Sequence, residues 1–385
     1  MSKKRLPYIN ILQSAIKIPP SDEQPLALDI KILPDKNIPP EPFFGVWLVD
    51  ISGSMAGDRL KNAKESLKEQ VKKLPDGTIF NLVTFETDVH EIMVNEKINN
   101  KVKQKIIKEV DKLQDRGTTA LYGALEKGVD LLRNYTRSGG GLKVRKIFLM
   151  SDGDPTDVQV QAKNENDPNY QKYFQLAKEA LEYKGSIDTI GALGEHNVYL
   201  LYEIAKQSTG KYIFAEDEEE LKTKMIIATD QTVRIAFSQP NIKVKSVLGG
   251  IDLSDMAQYK PTVIRMPFER LGNNEAKAFF RSFEAGDTYQ VLIKGVLKID
   301  QSKIKMDQPN KVLVLDFDFG EGLKTTKEIF ITFTNDNSKF KLNQDINKRY
   351  ANVFSQAQEI SDCTIRGDAA ATQRIQGDET KKISK

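Results

Sequence analysis

The chain has 385 residues, of which 57 are Lys or Arg and 54 are Asp or Glu, and its formal net charge of +3 is too balanced to indicate a nucleic-acid partner. Its single cysteine, Cys363, excludes an internal disulfide and is typical of a reducing compartment, so we expect a cytoplasmic protein. No apolar run reaches the length of about eighteen residues that a membrane helix needs, so we expect no membrane span.

Residues 8–18 and 26–33 have the character of β-strands. Apolar and polar residues alternate in the second stretch, which is the pattern of a half-buried strand. Proline clusters follow each stretch. Because the pattern changes after residue 42, these strands need partners elsewhere in the chain.

From residue 43 onward, buried strands alternate with helices. Apolar runs predict strands at residues 43–49, 78–85, 144–151, 187–193 and 211–215, with a short edge strand at 89–94. Apolar residues at helical spacing predict helices within residues 60–74, 98–113, 121–132, 173–183, 198–207 and 217–227. Such alternation with short links predicts an α/β doubly wound parallel sheet, which we assign to residues 43–229.

After residue 229 the pattern is that of an all-β domain. Turn signals separate predicted strands at residues 232–238, 242–248, 262–268, 276–283, 288–299, 311–319 and 326–334. Short strands at this spacing predict an antiparallel β-sandwich, formed by residues 1–42 together with 230–338. The α/β domain would then be inserted into a discontinuous sandwich. Residues 339–377 are predicted to form C-terminal helices, and 378–385 a flexible tail.

The motif Asp50-Ile51-Ser52-Gly53-Ser54 follows the first predicted buried strand of the α/β region. Open α/β sheets bind ligands at the carboxyl ends of their strands. One carboxylate and two hydroxyls at alternate positions offer three hard oxygens to one point, and such oxygens suit Mg²⁺ or Mn²⁺.

Two further segments extend this pattern. Gly117-Thr118-Thr119 precedes a predicted helix, and Asp152 directly follows the predicted strand 144–151. Together the three segments resemble the metal-ion-dependent adhesion site of the von Willebrand factor A family. The resemblance covers about residues 43–225 and implies a Rossmann-like fold. It implies that Ser52, Ser54 and Thr119 bind the metal directly, and that Asp50 and Asp152 act through water; Thr118 competes with Thr119 for the threonine role.

Such a site would bind a protein rather than catalyse a reaction. Neutral hydroxyl ligands leave most of the metal's charge unneutralised, so an Asp or Glu of a partner protein can complete its coordination. The chain has only two histidines, no recognisable nucleophile motif and no nucleotide-binding glycine loop. We therefore expect a non-enzymatic, regulatory interaction module. Asp154 and Asp157 either add water-mediated metal contacts or are ordinary turn residues.

The hydroxyls of the C-terminal region suggest a second mode of action. Phosphorylation of Thr364, Thr372, Thr380 or Ser384 would create a docking site for a phosphothreonine-reading domain. The layout of the whole chain also resembles the von Willebrand A proteins of the archaellum regulatory network of thermophilic archaea. That resemblance implies a forkhead-associated-domain partner and a Ser/Thr kinase. A metal-dependent hydrolase and an adaptor for an ATPase are the remaining alternatives.

Overall fold

The computed structural model describes residues 5–151, 154–160, 166–191 and 196–377. The chain divides into two compact units. The first, here called the β unit, comprises the chain up to Asn37, the segment Gln239–Ile360 and a short piece that begins at Ile375. The second, here called the α/β unit, comprises Ile38–Ser238 and Ser361–Arg374.

The chain begins in the β unit with three strands: β1 (Tyr8–Gln13), β2 (Ala15–Ile18) and β3 (Glu23–Leu33). It then enters the α/β unit, whose elements follow in the order β4 (Phe44–Asp50), α1 (Asp58–Lys73), β5 (Ile79–Phe85), β6 (Val89–Lys97), α2 (Asn100–Asp111), α3 (Leu121–Arg137), β7 (Arg145–Ser151), α4 (Tyr170–Glu182), β8 (Ser186–Gly191), α5 (Val198–Gln207), β9 (Tyr212–Phe214), α6 (Glu218–Val233) and β10 (Ile235–Phe237).

The sheet of the α/β unit has the strand order β6-β5-β4-β7-β8-β9. All neighbours are parallel except β6, which runs antiparallel to β5 at the edge. Strand β4 has β5 as its neighbour on one side and β7 on the other, so the chain builds the sheet outward in opposite directions from β4. The topological switch point therefore lies at the carboxyl end of β4. This is the position where open α/β sheets bind ligands.

Every residue of β4 and β7 is buried, as expected for central strands covered on both faces. Trp47 of β4 stacks between Phe80 and Phe148, with ring centroids 4.5 and 5.1 Å away. Its indole N–H donates to Gln70 Oε1 of α1 at 3.0 Å, so its polar atom is satisfied inside the core. The strand that carries the candidate site is therefore held rigidly by packing.

The rest of the chain adds β11 (Asn241–Ser246), β12 (Gly249–Lys260), β13 (Ile264–Arg265), β14 (Phe268–Arg270), β15 (Glu275–Phe279), β16 (Phe283–Glu284), β17 (Tyr289–Ile299), β18 (Pro309–Asp318), β19 (Lys324–Phe333), β20 (Lys341–Leu342), α7 (Gln344–Arg366) and α8 (Ala369–Gln376). The β unit contains a five-stranded antiparallel sheet in the order β1-β3-β17-β12-β13 and a seven-stranded sheet in the order β14-β15-β11-β18-β19-β2-β20.

Strand β3, which precedes the α/β unit, pairs with β17, which follows it. The predicted fold class is therefore confirmed: a doubly wound α/β sheet is inserted between strands of the antiparallel region, and helices follow at the C-terminus. The seven-stranded sheet departs from strict antiparallel order at one place, because β2 runs parallel to β19.

Several predicted boundaries differ from the structure. Residues 229–233 lie in α6, not between domains; the hydroxyls of Thr229 and Thr232 donate to Met225 O and Ala228 O, the carbonyls four residues earlier. Their β-branched side chains favoured a strand in the sequence. The predicted strand at residues 262–268 is split into β13 and β14 around Pro267, which has no N–H to donate.

The C-terminal helical region begins at Gln344, after β20, rather than at residue 339. The first part of α7 belongs to the β unit, and its last turn and most of α8 belong to the α/β unit. No helix in the described parts of the chain has the length and apolar character needed to cross a bilayer.

Candidate metal centre

Asp50 ends β4 and is fully buried. Its Oδ1 accepts a hydrogen bond from the backbone N–H of Ser52 at 2.8 Å, which folds the following loop back toward the strand end. Its Oδ2 accepts from the Ser151 hydroxyl at 2.6 Å. Because β4 and β7 pair in parallel register, with Val49 opposite Met150, Ser151 lies beside Asp50 at the same sheet edge. Two hydrogen bonds thus fix the orientation of this carboxylate.

The two serines of the motif lie side by side. Ser52 Oγ and Ser54 Oγ are 3.0 Å apart; Ser52 is buried, whereas Ser54 is exposed to solvent. In an octahedral Mg²⁺ complex with ligands at about 2.1 Å, adjacent ligand oxygens are about 3.0 Å apart. The spacing of the serine oxygens therefore fits neighbouring ligand positions of Mg²⁺, with one side open to solvent.

A second loop packs against the serine loop. The N–H of Gly53 donates to Gly117 O at 3.1 Å, and the N–H of Arg116 donates to Ile51 O at 2.8 Å. These contacts bring residues 116–120, which lead into α3, beside the Asp50 motif. Gly117 has a left-handed backbone, φ +67°, and an added Cβ would lie 2.5 Å from both Glu86 Oε2 and Thr87 Oγ1, so this position requires glycine.

The structure distinguishes the two candidate threonines. Thr119 is buried, and its backbone exchanges hydrogen bonds with Thr156: its N–H donates to Thr156 Oγ1 at 3.0 Å, and its carbonyl accepts from the Thr156 N–H at 2.8 Å. Thr118 is exposed, and its N–H and hydroxyl both donate to Thr87 Oγ1, at 3.1 and 3.3 Å. The Thr118 hydroxyl is thus held by the loop after β5, which favours Thr119 as the ligand.

Glu86 holds the loop of residues 116–120 in place. It was not identified as a site residue from the sequence. It follows β5, and its buried carboxylate accepts from His90 Nε2 at 2.9 Å and from Arg116 Nε at 3.0 Å. Its backbone carbonyl accepts from the N–H of Ala120 at 2.6 Å, so Glu86 contacts both ends of residues 116–120. The hydrogen bond from His90, with backbone donors at Thr87 and Asp88, lowers the pKa of Glu86 to about 2.

Ser151 and Glu86 each had a signal in the sequence. Ser151 directly precedes Asp152, and Glu86 directly follows the predicted strand 78–85. Polar residues at the ends of neighbouring parallel strands meet at one sheet edge. Asp152 itself lies outside the described residues.

Asp157 has a structural role. Its Oδ2 accepts from the N–H of Gly123 at 2.8 Å and its Oδ1 from that of Tyr122 at 3.3 Å, both in the first turn of α3. The residue preceding that helix, Ala120, supplies no side-chain cap. These contacts favour the explanation of Asp157 as a loop residue that caps a helix. Asp154 is exposed in the same loop.

The predicted phosphorylation sites do not share one exposed tail. Thr364 and Thr372 are buried, at 1% and 0% exposure, in α7 and α8. Their hydroxyls donate to Ser361 O at 2.7 Å and to Asp368 O at 2.8 Å. Both side chains are therefore inaccessible to solvent in the folded chain. Thr380 and Ser384 lie outside the described residues.

No group of three or more His, Cys, Asp or Glu side chains in the described parts of the chain is arranged to hold a metal ion. The candidate centre is of another kind, because most of its oxygens are hydroxyls. The molecule thus has a doubly wound α/β domain in which Asp50, at the end of β4, lies beside two adjoining loops that carry Ser52, Ser54 and Thr119.

Comparison with known proteins agrees with the assignment of a doubly wound α/β domain. Residues 46–226 match the family model of the von Willebrand factor type A domain, and this part of the chain is a von Willebrand factor type A domain. The chain is 26% identical over 174 residues to an uncharacterized protein of Synechocystis sp.. The matched region covers 45% of this chain and 37% of that protein. It spans less than two fifths of the length of the curated relatives it matches.

Two solved structures share the fold over nearly the whole chain. A von Willebrand factor type A protein from Catenulispora acidiphila has a TM-score of 0.71 at 15% identity and covers 97% of this chain and 86% of that chain. The ArnB paralog VWA2 from Sulfolobus acidocaldarius has a TM-score of 0.56 at 14% identity and covers 96% of this chain and 88% of that chain. At these identities the likeness shows the fold alone.

Proposed function

We propose that this chain is a regulatory interaction module that captures an acidic side chain of a partner protein through Mg²⁺ or Mn²⁺ held by Ser52, Ser54 and Thr119. The observation that carries the proposal is the 3.0 Å separation of the two serine oxygens at the carboxyl end of β4, with one of them exposed. Von Willebrand factor type A domains form a family of protein-interaction modules, which supports the same function.

The chain's own residues would bind the metal without neutralising it. Asp50 already accepts from Ser52 N–H and from the Ser151 hydroxyl, so it is placed to orient the serine loop and to accept a hydrogen bond from metal-bound water. The neutral hydroxyls leave the cation electrophilic, and the bound ion would supply a charge-assisted contact for an Asp or Glu. Asp152 is proposed to act beside Asp50.

We propose that the module is not an enzyme. A hydrolase would need a general base near the metal, and both histidines have structural partners instead. His90 Nε2 lies 2.9 Å from Glu86 Oε1, and His196 Nε2 lies 2.8 Å from the Tyr212 hydroxyl. The Asp50 carboxylate accepts a hydrogen bond from the N–H of Ser52 in the serine loop. These contacts disfavour a metal-dependent hydrolase relative to a binding module.

A cytoplasmic location fits the single cysteine, which is buried as a free thiol. Phosphorylation of the C-terminal tail remains a proposal for Thr380 and Ser384, with a forkhead-associated-domain protein and a Ser/Thr kinase as the implied partners. Burial of Thr364 and Thr372 argues against these two sites in the folded chain.

The test is a pull-down from native lysate with the full chain as bait, in Mg²⁺ and in EDTA. Wild type is compared with Ser52→Ala/Ser54→Ala and with Ser254→Ala, which removes an exposed hydroxyl in the β unit. We expect a partner bound by wild type and by Ser254→Ala in Mg²⁺ only, and by the double variant in neither condition. The same partner in all samples would contradict metal-dependent capture.

A further inference from the structure

Strand β1 forms one edge of the five-stranded sheet, and in the described parts of the chain no strand pairs with its outer side. It has six residues, Tyr-Ile-Asn-Ile-Leu-Gln, without a charge, a glycine or a proline. An exposed edge of this kind is a template for pairing with another strand, and proteins usually protect such edges with charges, prolines or very short strands.

The other sheet edges in the described parts of the chain are protected in these ways. The edge strands β9, β10, β13, β14, β16 and β20 have only two or three residues each. β6 is longer but carries Glu91, Glu96 and Lys97. β1 is therefore the long uncharged edge among the described strands.

The hydrogen-bond pattern shows which backbone groups of β1 face outward. Ser14 N–H donates to the carbonyl of Ala27, the residue opposite it in the β1–β3 register. Because the pattern has a period of two, the backbones of Tyr8, Asn10 and Leu12 face β3. The N–H and C=O groups of Ile9, Ile11 and Gln13 consequently point away from the sheet.

Large apolar side chains are concentrated around this edge. Tyr8 is 62% exposed and Leu12 is 44% exposed. Three of the nine exposed large hydrophobic residues in the described chain, Leu6, Tyr8 and Leu12, lie on β1 or just before it. Phe330 and Leu342, which are also exposed, lie on β19 and β20 of the seven-stranded sheet. Phe330 is tied to β1 by the Gln13 side chain, which donates to its carbonyl at 2.7 Å, and Leu342 pairs with Ala15.

We propose that β1 pairs antiparallel with β1 of a second copy of this chain, so that the two five-stranded sheets become continuous. The carbonyl of Ser14 already accepts a hydrogen bond from the N–H of Asn343 at 2.8 Å, so it is not available to a second strand. The free edge therefore runs from Pro7 to Gln13. A strand that pairs with itself over this length has its twofold axis at the middle residue, Asn10. Tyr8 of each copy then lies opposite Leu12 of the other, an aromatic–aliphatic cross-strand pair.

The contact area sets the expected strength. Stable interfaces need about 800 Å² from each partner, and one strand edge with two or three apolar side chains supplies only part of this. Phe330, whose carbonyl accepts from the Gln13 side chain, and Leu342, opposite Ala15, would add apolar surface beyond the strand. We therefore expect a reversible dimer whose population rises with protein concentration, and whose formation does not depend on metal.

The first test is sedimentation of the full chain over a range of concentrations, in Mg²⁺ and in EDTA. Tyr8→Lys/Leu12→Lys introduces charges on the edge, whereas Val247→Lys/Leu271→Lys introduces them at residues with 41% and 42% exposure elsewhere in the β unit. We expect wild type and the control to dimerise, and the edge variant to stay monomeric with an unchanged circular dichroism spectrum. A monomeric wild type, or an edge variant as dimeric as wild type, would overturn the proposal.

The second test fixes the register. In the proposed pairing the two Asn10 residues form a non-hydrogen-bonded pair with Cα atoms about 4.5 Å apart, which is within disulfide range. Under oxidised glutathione, Asn10→Cys should form a covalent dimer, while Asn273→Cys, at an exposed turn of the same unit, should not. Equal crosslinking of both variants, or none with Asn10→Cys, would exclude this register. Since EDTA tests only the metal site, failure of this proposal is distinct from failure of the proposed function.

Discussion

Glu86 is an acid whose charged form the fold stabilises. Its pKa is lowered from 4.5 to about 2, first by the hydrogen bond from His90 and then by backbone donors. A lowered folded-state pKa contributes stability that is complete above about pH 4.5 and is lost as the pH falls toward 2. Each pKa unit corresponds to about 1.4 kcal/mol, and solvent near the exposed Arg116 partner reduces the effect, so we expect a loss on the order of 1 kcal/mol.

Urea unfolding of wild type and Glu86→Gln between pH 6 and pH 3 measures this contribution. We expect the difference in unfolding free energy between the two proteins to shrink as the solution becomes more acidic. Asp115→Asn, which removes an exposed carboxylate of the neighbouring loop, is the control for the loss of one negative charge. A difference that stays constant with pH would mean that the Glu86 carboxylate is not stabilised in its charged form.

Residues that are close in the chain could be predicted from the sequence, whereas those joined by the sheet could not. Asp50, Ser52 and Ser54 form one local motif, so their proximity follows from a single loop. The Ser151–Asp50 and Glu86–Arg116 contacts join positions 101 and 30 residues apart. They depend on strand order and register, which periodicity does not determine.

At the scale of elements, helix α3 depends on a residue that lies outside it. Ala120 provides no side-chain cap, and Asp157 accepts from the N–H groups of Tyr122 and Gly123 instead. A carboxylate at a helix N-terminus satisfies free N–H groups and interacts favourably with the helix dipole. We expect Asp157→Ala to lower the unfolding free energy by about 1–2 kcal/mol.

Chemical denaturation of Asp157→Ala, Asp157→Asn and Asp154→Ala separates the contributions. The asparagine can still accept hydrogen bonds but carries no charge, so it should lose less than the alanine. Asp154→Ala removes an exposed carboxylate of the same loop and should be nearly neutral. If Asp154→Ala were as destabilising as Asp157→Ala, a general effect of loop charge would replace the capping explanation.

The types of most elements followed from periodicity, and their ends followed less well. Central strands β4 and β7 are built around the apolar runs 44–49 and 147–150, and the sequence placed both strands within one residue at either end. Helix α6 continued through Thr229 and Thr232, where intrinsic β-propensity favoured a strand, because hydrogen bonds within the helix outweigh a weak local preference.

At the scale of the whole chain, the insertion could be inferred because the N-terminal strands need partners and the segment after residue 42 has the pattern of a different fold. The structure gives those partners: β3 lies between β1 and β17. The bend at Ser14, which moves the chain from the five-stranded to the seven-stranded sheet, had no recognisable sequence signal. Its cause is tertiary, since the Ser14 hydroxyl accepts from Ala27 N–H while its carbonyl accepts from Asn343 N–H.

Metal binding should appear in the stability of the full chain even without a partner. A ligand that binds only the folded state stabilises it, and Mg²⁺ at ten times its dissociation constant would add about 1.4 kcal/mol. If the α/β unit unfolds cooperatively, we expect its thermal midpoint in calorimetry to rise by about 2–4 °C. The rise should be absent in Ser52→Ala/Ser54→Ala and retained in Ser254→Ala.

The outcome separates the metal site from its proposed use. A midpoint that rises equally in wild type and in the double variant would place any bound Mg²⁺ away from Ser52 and Ser54. A rise that requires these serines, without metal-dependent capture of a partner, would leave a real ion site whose role is to stiffen the loops at the end of β4. Because Ser54 is exposed while Asp50 and Ser52 are buried, one side of the site faces solvent. Binding of a partner carboxylate from that side is therefore the outcome we expect.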